Sequence, residues 1–206
     1  MSKTFTLALT GASGMAYGMR LLELLLAGGH AVHLIYSQAA QFVAVQELNL
    51  NLPGKVSEAR RLLLERYPCR PEQLRVFARE DWLAPIASGT GAADAMVVCP
   101  CTMGTLAAIT HGNSDSLIER AADVMIKEGR KLILVPREAP FSAIHLENML
   151  KLSQLGVVIM AANPGFYHLP KRVEDIVDFM VAKILDQLGV EHQLMERWGS
   201  VALPDD

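Results

Sequence analysis

The chain has 206 residues, of which 51% are hydrophobic and 20% charged, with a formal net charge of −3; this is enough to bury one sizeable core, and its charge offers no basic field for a nucleic acid. Prolines and charged residues interrupt every long apolar stretch, so no membrane span is expected. Cys69, Cys99 and Cys101 have no disulfide-framework spacing, which suits a reducing, cytoplasmic compartment.

Phe5, Leu7 and Leu9 alternate as a strand, and Met19, Leu22, Leu25 and Leu26 recur at helical spacing, so residues 11–14 read as a strand-to-helix turn. Backbone N–H groups at such a helix start attract phosphate. The spacing of Gly11, Gly14 and Gly18 is not G-x-G-x-x-G, and no Gly-Lys-Ser/Thr follows, so a tight packing turn is an equally good reading. Residues 31–37 form a second apolar run, followed by helical stretches through about residue 47 and over 57–67. Residues 75–77 are a weaker strand, and the run 95–99 ends at Pro100 before a second strand-turn-helix through 102–105. Helices are expected over 117–128, 144–155 and 173–188, and strands over 132–136 and 157–162.

Alternating strands and helices without a linker predict one α/β domain over 1–206, with a mostly parallel sheet covered on both faces. Ligands of such sheets lie at the carboxyl ends of strands, near a topological switch. The residues there are 11–14, Ser37, 102–105, Arg137 with Glu138, and the loop 163–170. Ser37 and Gln38 stand where a nicotinamide enzyme places an acid on a ribose, which favours a mononucleotide over NAD. Cys99-Pro100-Cys101 looks like half a metal site, but alternate residues of an extended segment diverge and no second pair accompanies them. No metal site is expected.

Five stretches, 10-TGASG-14, 85-PIASGTGA-92, 99-CPCTMGTL-106, the long block 113–150 containing LVPREAPFS, and 164-PGFYH-168, together resemble the UbiX-type flavin prenyltransferases, a similarity that extends to 197-RWG-199. The resemblance implies a Rossmann-like or flavodoxin-like three-layer sandwich and a homododecamer, with residues 190–206 packing on neighbouring subunits. It implies FMN held by Gly11, Ala12, Ser13, Ser37, Thr102, Met103, Gly104, Thr105 and Arg137, and dimethylallyl phosphate as prenyl donor. The reaction would alkylate reduced FMN at N5 and close a ring onto C6, giving prenylated FMN for a UbiD-type decarboxylase, including those of ubiquinone biosynthesis. An external flavin reductase or reductant would supply the electrons.

Family positions also assign the donor site. Arg120 and Lys127, seven apart on one helix, Arg137 and Lys183 would surround the leaving phosphate, with Tyr167 and Glu47 beside it, Glu47 reaching in from a neighbouring subunit. Ser13, Lys127 and Glu138 are the candidate catalytic residues; Ser13 would relay a proton with Glu138 near N5, or else simply cap the helix. Trp82 offers a π-face, although packing is its simpler role. No D-D-x-x-D motif is present, so cationic side chains take the place of Mg²⁺. The alternative is a flavin-dependent cysteine-type decarboxylase, but the stretches 85–92 and 136–145 lack the PASANT and P-x-M-N-x-x-M patterns of that group.

Overall fold

The computed structural model describes residues 2–195; the RWG motif and most of the segment expected to pack on neighbouring subunits lie outside the described residues. Two compact units are present, one through Ala162 and one from Asn163 onward.

In the first unit, β1 (Thr4–Leu9), β2 (Ala31–Tyr36), β3 (Leu74–Phe77), β4 (Ala95–Cys101), β5 (Lys131–Pro136) and β6 (Val158–Ile159) form one sheet. Its order is β3-β2-β1-β4-β5-β6, and every neighbouring pair is parallel. This is the 3-2-1-4-5-6 order of doubly wound α/β sheets. The chain builds outward from β1 to β3, then returns across β2 and β1 to enter β4, so the winding reverses between β1 and β4. The crevice at that reversal is where such sheets bind ligands.

The helices of this unit are α1 (Met15–Ala27), α2 (Gln38–Leu48), α3 (Val56–Arg66), α4 (Met103–His111), α5 (Leu117–Lys127) and α6 (Ala143–Gln154). Central strands buried on both faces read as continuous apolar runs rather than alternating ones. Leu7, in register with Leu34 and Val97, and Ala8, in register with Ile35 and Val98, are all buried. Ile35, Met96 and Val98 share a core cluster with Leu106, Ala121 and Met125 of α4 and α5.

Two strands differ from expectation. β4 continues through Pro100 to Cys101, with a register break after Val98. Pro100 has no N–H for the ladder, but its carbonyl accepts from Thr10 N at 3.2 Å and from Thr10 Oγ1 at 2.8 Å, which keeps the segment in the sheet. β6 is only two residues long, against the six expected, and among the described residues it pairs only with β5, at the sheet edge. Beyond it, Met160 N and Ala162 N still donate to Leu134 and Pro136 carbonyls. The thiols of Cys99 and Cys101 are buried and free.

The second unit holds the loop after β6 and α7 (Val173–Leu188). Asp175 starts α7 by accepting from Lys171 N at 2.8 Å and Arg172 N at 3.0 Å. Gly189, at φ 62°, ends it in the left-handed conformation that suits glycine.

β2 also carries a built-in acid sensitivity. Burial, reinforced by Arg75 in register across β3, lowers the His33 imidazole to about 4, and its Nδ1 is buried without a partner. The unfolded chain takes up this proton near 6.5, so its neutral form contributes stability in full above that value. The contribution is lost as pH falls from about 6.5 to about 4. Thermal unfolding followed across this window should show a falling midpoint, and His33→Gln should flatten the slope. An equal slope in the variant would contradict the assignment.

Candidate active site

The switch point brings together the turns that follow β1 and β4. Thr10 joins them: its Oγ1 donates to Pro100 O and accepts from Thr102 N, each at 2.8 Å, and the side chain is fully buried. On either side, Ser37 N donates to Leu9 O at 3.0 Å and Arg137 N to Cys101 O at 3.4 Å. The ends of β2, β1, β4 and β5 are thus tied in a row. Thr10 is quoted within 10-TGASG-14 but is given no role there, because a threonine at the end of an apolar strand looks like any β-former.

Within the first turn, Ala12 is buried while Ser13 is exposed. Ser13 does not cap α1; the N-cap is Gly14, at φ 107°, with no side-chain cap bond. The helix start is instead held by Glu47 of α2, whose carboxylate accepts from Gly14 N at 3.0 Å and Met15 N at 2.8 Å. Within the chain, the Glu47 carboxylate thus satisfies the backbone N–H groups at the α1 start. Gly11 admits no side chain, because a Cβ there would collide with Ala39 Cβ at the start of α2. Ser37 caps α2, its Oγ accepting from Ala40 N at 3.1 Å.

A consequence is testable at Glu47. Glu47→Ala should destabilise the fold by about 1–2 kcal/mol, the scale of a lost helix cap. FMN affinity should fall with it, because the 11–14 turn loses its anchor. Thermal unfolding with a parallel flavin titration checks both; unchanged flavin affinity would show that the turn holds its shape without the carboxylate.

The second turn is built differently. Thr102 caps α4, its Oγ1 accepting from Thr105 N at 3.1 Å and bonded to Thr105 Oγ1 at 2.9 Å. Met103 points into the core, so only its backbone is available above. Gly104 is open: a Cβ built there meets nothing nearer than Thr102 Oγ1, at 4.0 Å. Free space, hydroxyls and a helix start at the switch point fit the phosphate and ribityl chain of a mononucleotide. Just beyond β5, Arg137 and Glu138 are exposed, and Glu138 Oε1 accepts from Ala139 N at 3.1 Å.

The remaining candidates stand on α5, in the segment before residue 85 and in the second unit. On α5, Arg120 Nε donates to Ala87 O at 3.0 Å and Nη1 pairs with Asp123 at 2.7 Å, while Lys127 pairs with Glu128. Both therefore meet charges or carbonyls of their own chain. Trp82 does not pack into the core; it is 48% exposed. In the second unit, Phe179 gathers three neighbours: Tyr167 edge-on at 5.5 Å, His168 stacked at 5.1 Å and the Lys183 ammonium over its ring at 5.6 Å. Phe179 reads in the sequence as one more apolar helix residue, which is why it was missed. Among the described residues no group of three or more His, Cys, Asp or Glu side chains is placed to hold a metal ion.

A family model described as Flavoprotein matches residues 1–185. The flavin prenyltransferase UbiX of Pseudomonas aeruginosa is 54% identical over 98% of this chain and 96% of its own length. The chain belongs to the UbiX flavin prenyltransferase family. Solved structures agree with the membership. A crystal structure of AnUbiX in complex with FMN and dimethylallyl pyrophosphate is 37% identical, with a TM-score of 0.86, covering 98% of this chain and 100% of that one. A dodecameric FMN-dependent UbiX-like decarboxylase from Escherichia coli O157:H7 is 40% identical, with a TM-score of 0.84, covering 96% and 100%. The doubly wound sheet of this UbiX-family chain is thus the flavoprotein fold expected from its sequence.

Proposed function

We propose that this protein is a flavin prenyltransferase: it transfers a dimethylallyl group from dimethylallyl phosphate to N5 and C6 of reduced FMN and releases prenylated FMN. The observation that carries the reading is the row of tied strand ends, where two glycine and hydroxyl turns stand beside Arg137 and Glu138, in a chain 54% identical to a named flavin prenyltransferase.

The backbone of residues 11–13, Ser37, residues 102–105 and Arg137 would hold FMN. When bound, reduced FMN supplies the electron-rich nucleophile. Every other contribution comes from the chain and the donor. Breaking the allylic C–O bond gathers negative charge on the leaving phosphate, and preorganised cations stabilise such charge as it develops. Arg120, Lys127, Arg137 and Lys183 serve that end, and Tyr167 contacts the donor. Glu138 and Ser13 hold and move the proton. Glu47 serves the site by fixing the 11–14 turn. The two units act as one flavoprotein domain within a homododecamer that residues 190–206 help to join. An external reductase supplies reduced FMN, and a UbiD-type decarboxylase in the cytoplasm uses the product. No helix of the described residues is long and apolar enough to cross a membrane.

Because cationic side chains face the phosphate, turnover should persist in excess chelator. Titrating the protein loaded with reduced FMN with dimethylallyl phosphate, anaerobically and in EDTA, should show saturable binding and product formation. Loss of turnover in EDTA that Mg²⁺ restores would overturn the metal-independent mechanism, and absence of donor binding would overturn the function.

A further inference from the structure

Resting on the reading that Lys127 faces the donor phosphate, we propose that Glu128 is a positioning residue for donor binding: its carboxylate sets the Lys127 ammonium and the 85–91 loop in one fixed arrangement. Lys127 ends α5 and Glu128 is its C-cap. The Lys127 ammonium donates to Glu128 Oε1 in an ion pair. The same side chain lies against Gly89, where a Cβ would collide with Oε1 and stand 2.5 Å from Cδ and 3.1 Å from Cγ. One carboxylate thus touches both the cation and the loop.

Two arginines hold the loop on either side of that contact. Arg120 Nε donates to Ala87 O at 3.0 Å, and Arg130 Nη1 donates to Ala92 O at 2.7 Å and Ala93 O at 2.8 Å. Residues 87–93 are therefore hydrogen-bonded near both ends, by Arg120 and Arg130, and between those bonds Gly89 lies against the Glu128 carboxylate. A lysine on its four-carbon stem loses much rotamer freedom when it docks on a ligand, and one already pinned loses less. Coulomb's law alone argues against a carboxylate beside a phosphate site. Its presence there is explained by geometry.

The two effects have opposite signs, which makes the proposal testable with Glu128→Gln and Gly89→Ala in the full-length, FMN-loaded protein. The first removes the negative charge; the second keeps it and pushes the carboxylate off the loop. Calorimetric titration with inorganic phosphate and with dimethylallyl phosphate, together with KM and kcat measured anaerobically with reduced FMN supplied in excess, gives the readout. Both variants should weaken phosphate binding and raise donor KM about tenfold, the scale of one lost charge-assisted contact. FMN affinity, kcat and thermal midpoint should stay close to those of the parent. Tighter phosphate binding in Glu128→Gln, or an unchanged KM in either variant, would overturn the proposal. Failure of the parent protein itself to bind dimethylallyl phosphate would instead overturn the prenyltransferase reading, and this proposal with it. Should Gly89→Ala not fold, the sign of the Glu128→Gln effect decides alone.

Discussion

Glu138→Gln keeps FMN bound and slows prenyl transfer about 10²–10⁴-fold, the range for loss of a general acid–base group. The substitution is mild on the structure. Glu138 is exposed just beyond β5, and its one hydrogen bond among the described residues is accepted from Ala139 N at 3.1 Å. An amide oxygen accepts that bond equally well, so the backbone after Arg137 is retained. What the amide cannot do is exchange a proton. If Glu138 served only to orient a neighbouring cation, glutamine would change donor affinity and leave the bound-state rate alone. Single-turnover kinetics on reduced FMN at saturating dimethylallyl phosphate separate the two, because donor binding no longer enters the rate. A parent-like rate would remove Glu138 from the proton path.

Gly18→Ala should destabilise the protein by about 1–3 kcal/mol, the cost of overpacking a close contact. The opposite sign is expected from helix propensity, which favours alanine over glycine by about 1 kcal/mol in a helix interior. Packing decides. A Cβ on Gly18 would collide with the Cys99 carbonyl oxygen of β4 and lie 2.6 Å from Leu9 Cδ2. Leu9 can change rotamer, but a backbone carbonyl in a central strand cannot turn aside, so α1 must lift from β4. Cys99 leads directly into Pro100, whose carbonyl holds Thr10. The displacement therefore reaches the switch point, and FMN affinity should drop together with stability. Urea unfolding and flavin titration of the same samples test both; a variant as stable as the parent would show that α1 and β4 have slack at this contact.

Much of this architecture is legible in the sequence because the signals are local. Apolar runs gave the strands, and the helix expected over 173–188 coincides with α7. The strand ends then pointed to the row that Thr10 ties together. Where the reading went astray, a distant partner had decided. Pro100 looks like a strand terminator, yet Thr10, 90 residues away, keeps it in the sheet. Helix capping, the alternative role for Ser13, is also decided at a distance: Gly14 is the N-cap of α1, and Glu47, 33 residues beyond it, holds the helix start. Isolated β-propensity suggested six residues for β6, whereas at the sheet edge only two form the strand. Phe179 lies outside the quoted stretches and Glu128 has no role within the block 113–150; their significance comes from what surrounds them.

The proposed reaction moves a dimethylallyl group onto the flavin. Its most direct test is mass spectrometry of the flavin released after anaerobic incubation of the protein with reduced FMN and dimethylallyl phosphate, in the presence of EDTA. Prenyl transfer gives FMN heavier by one five-carbon dimethylallyl unit, with inorganic phosphate released in equal amount. Flavin of unchanged mass beside intact dimethylallyl phosphate would contradict it.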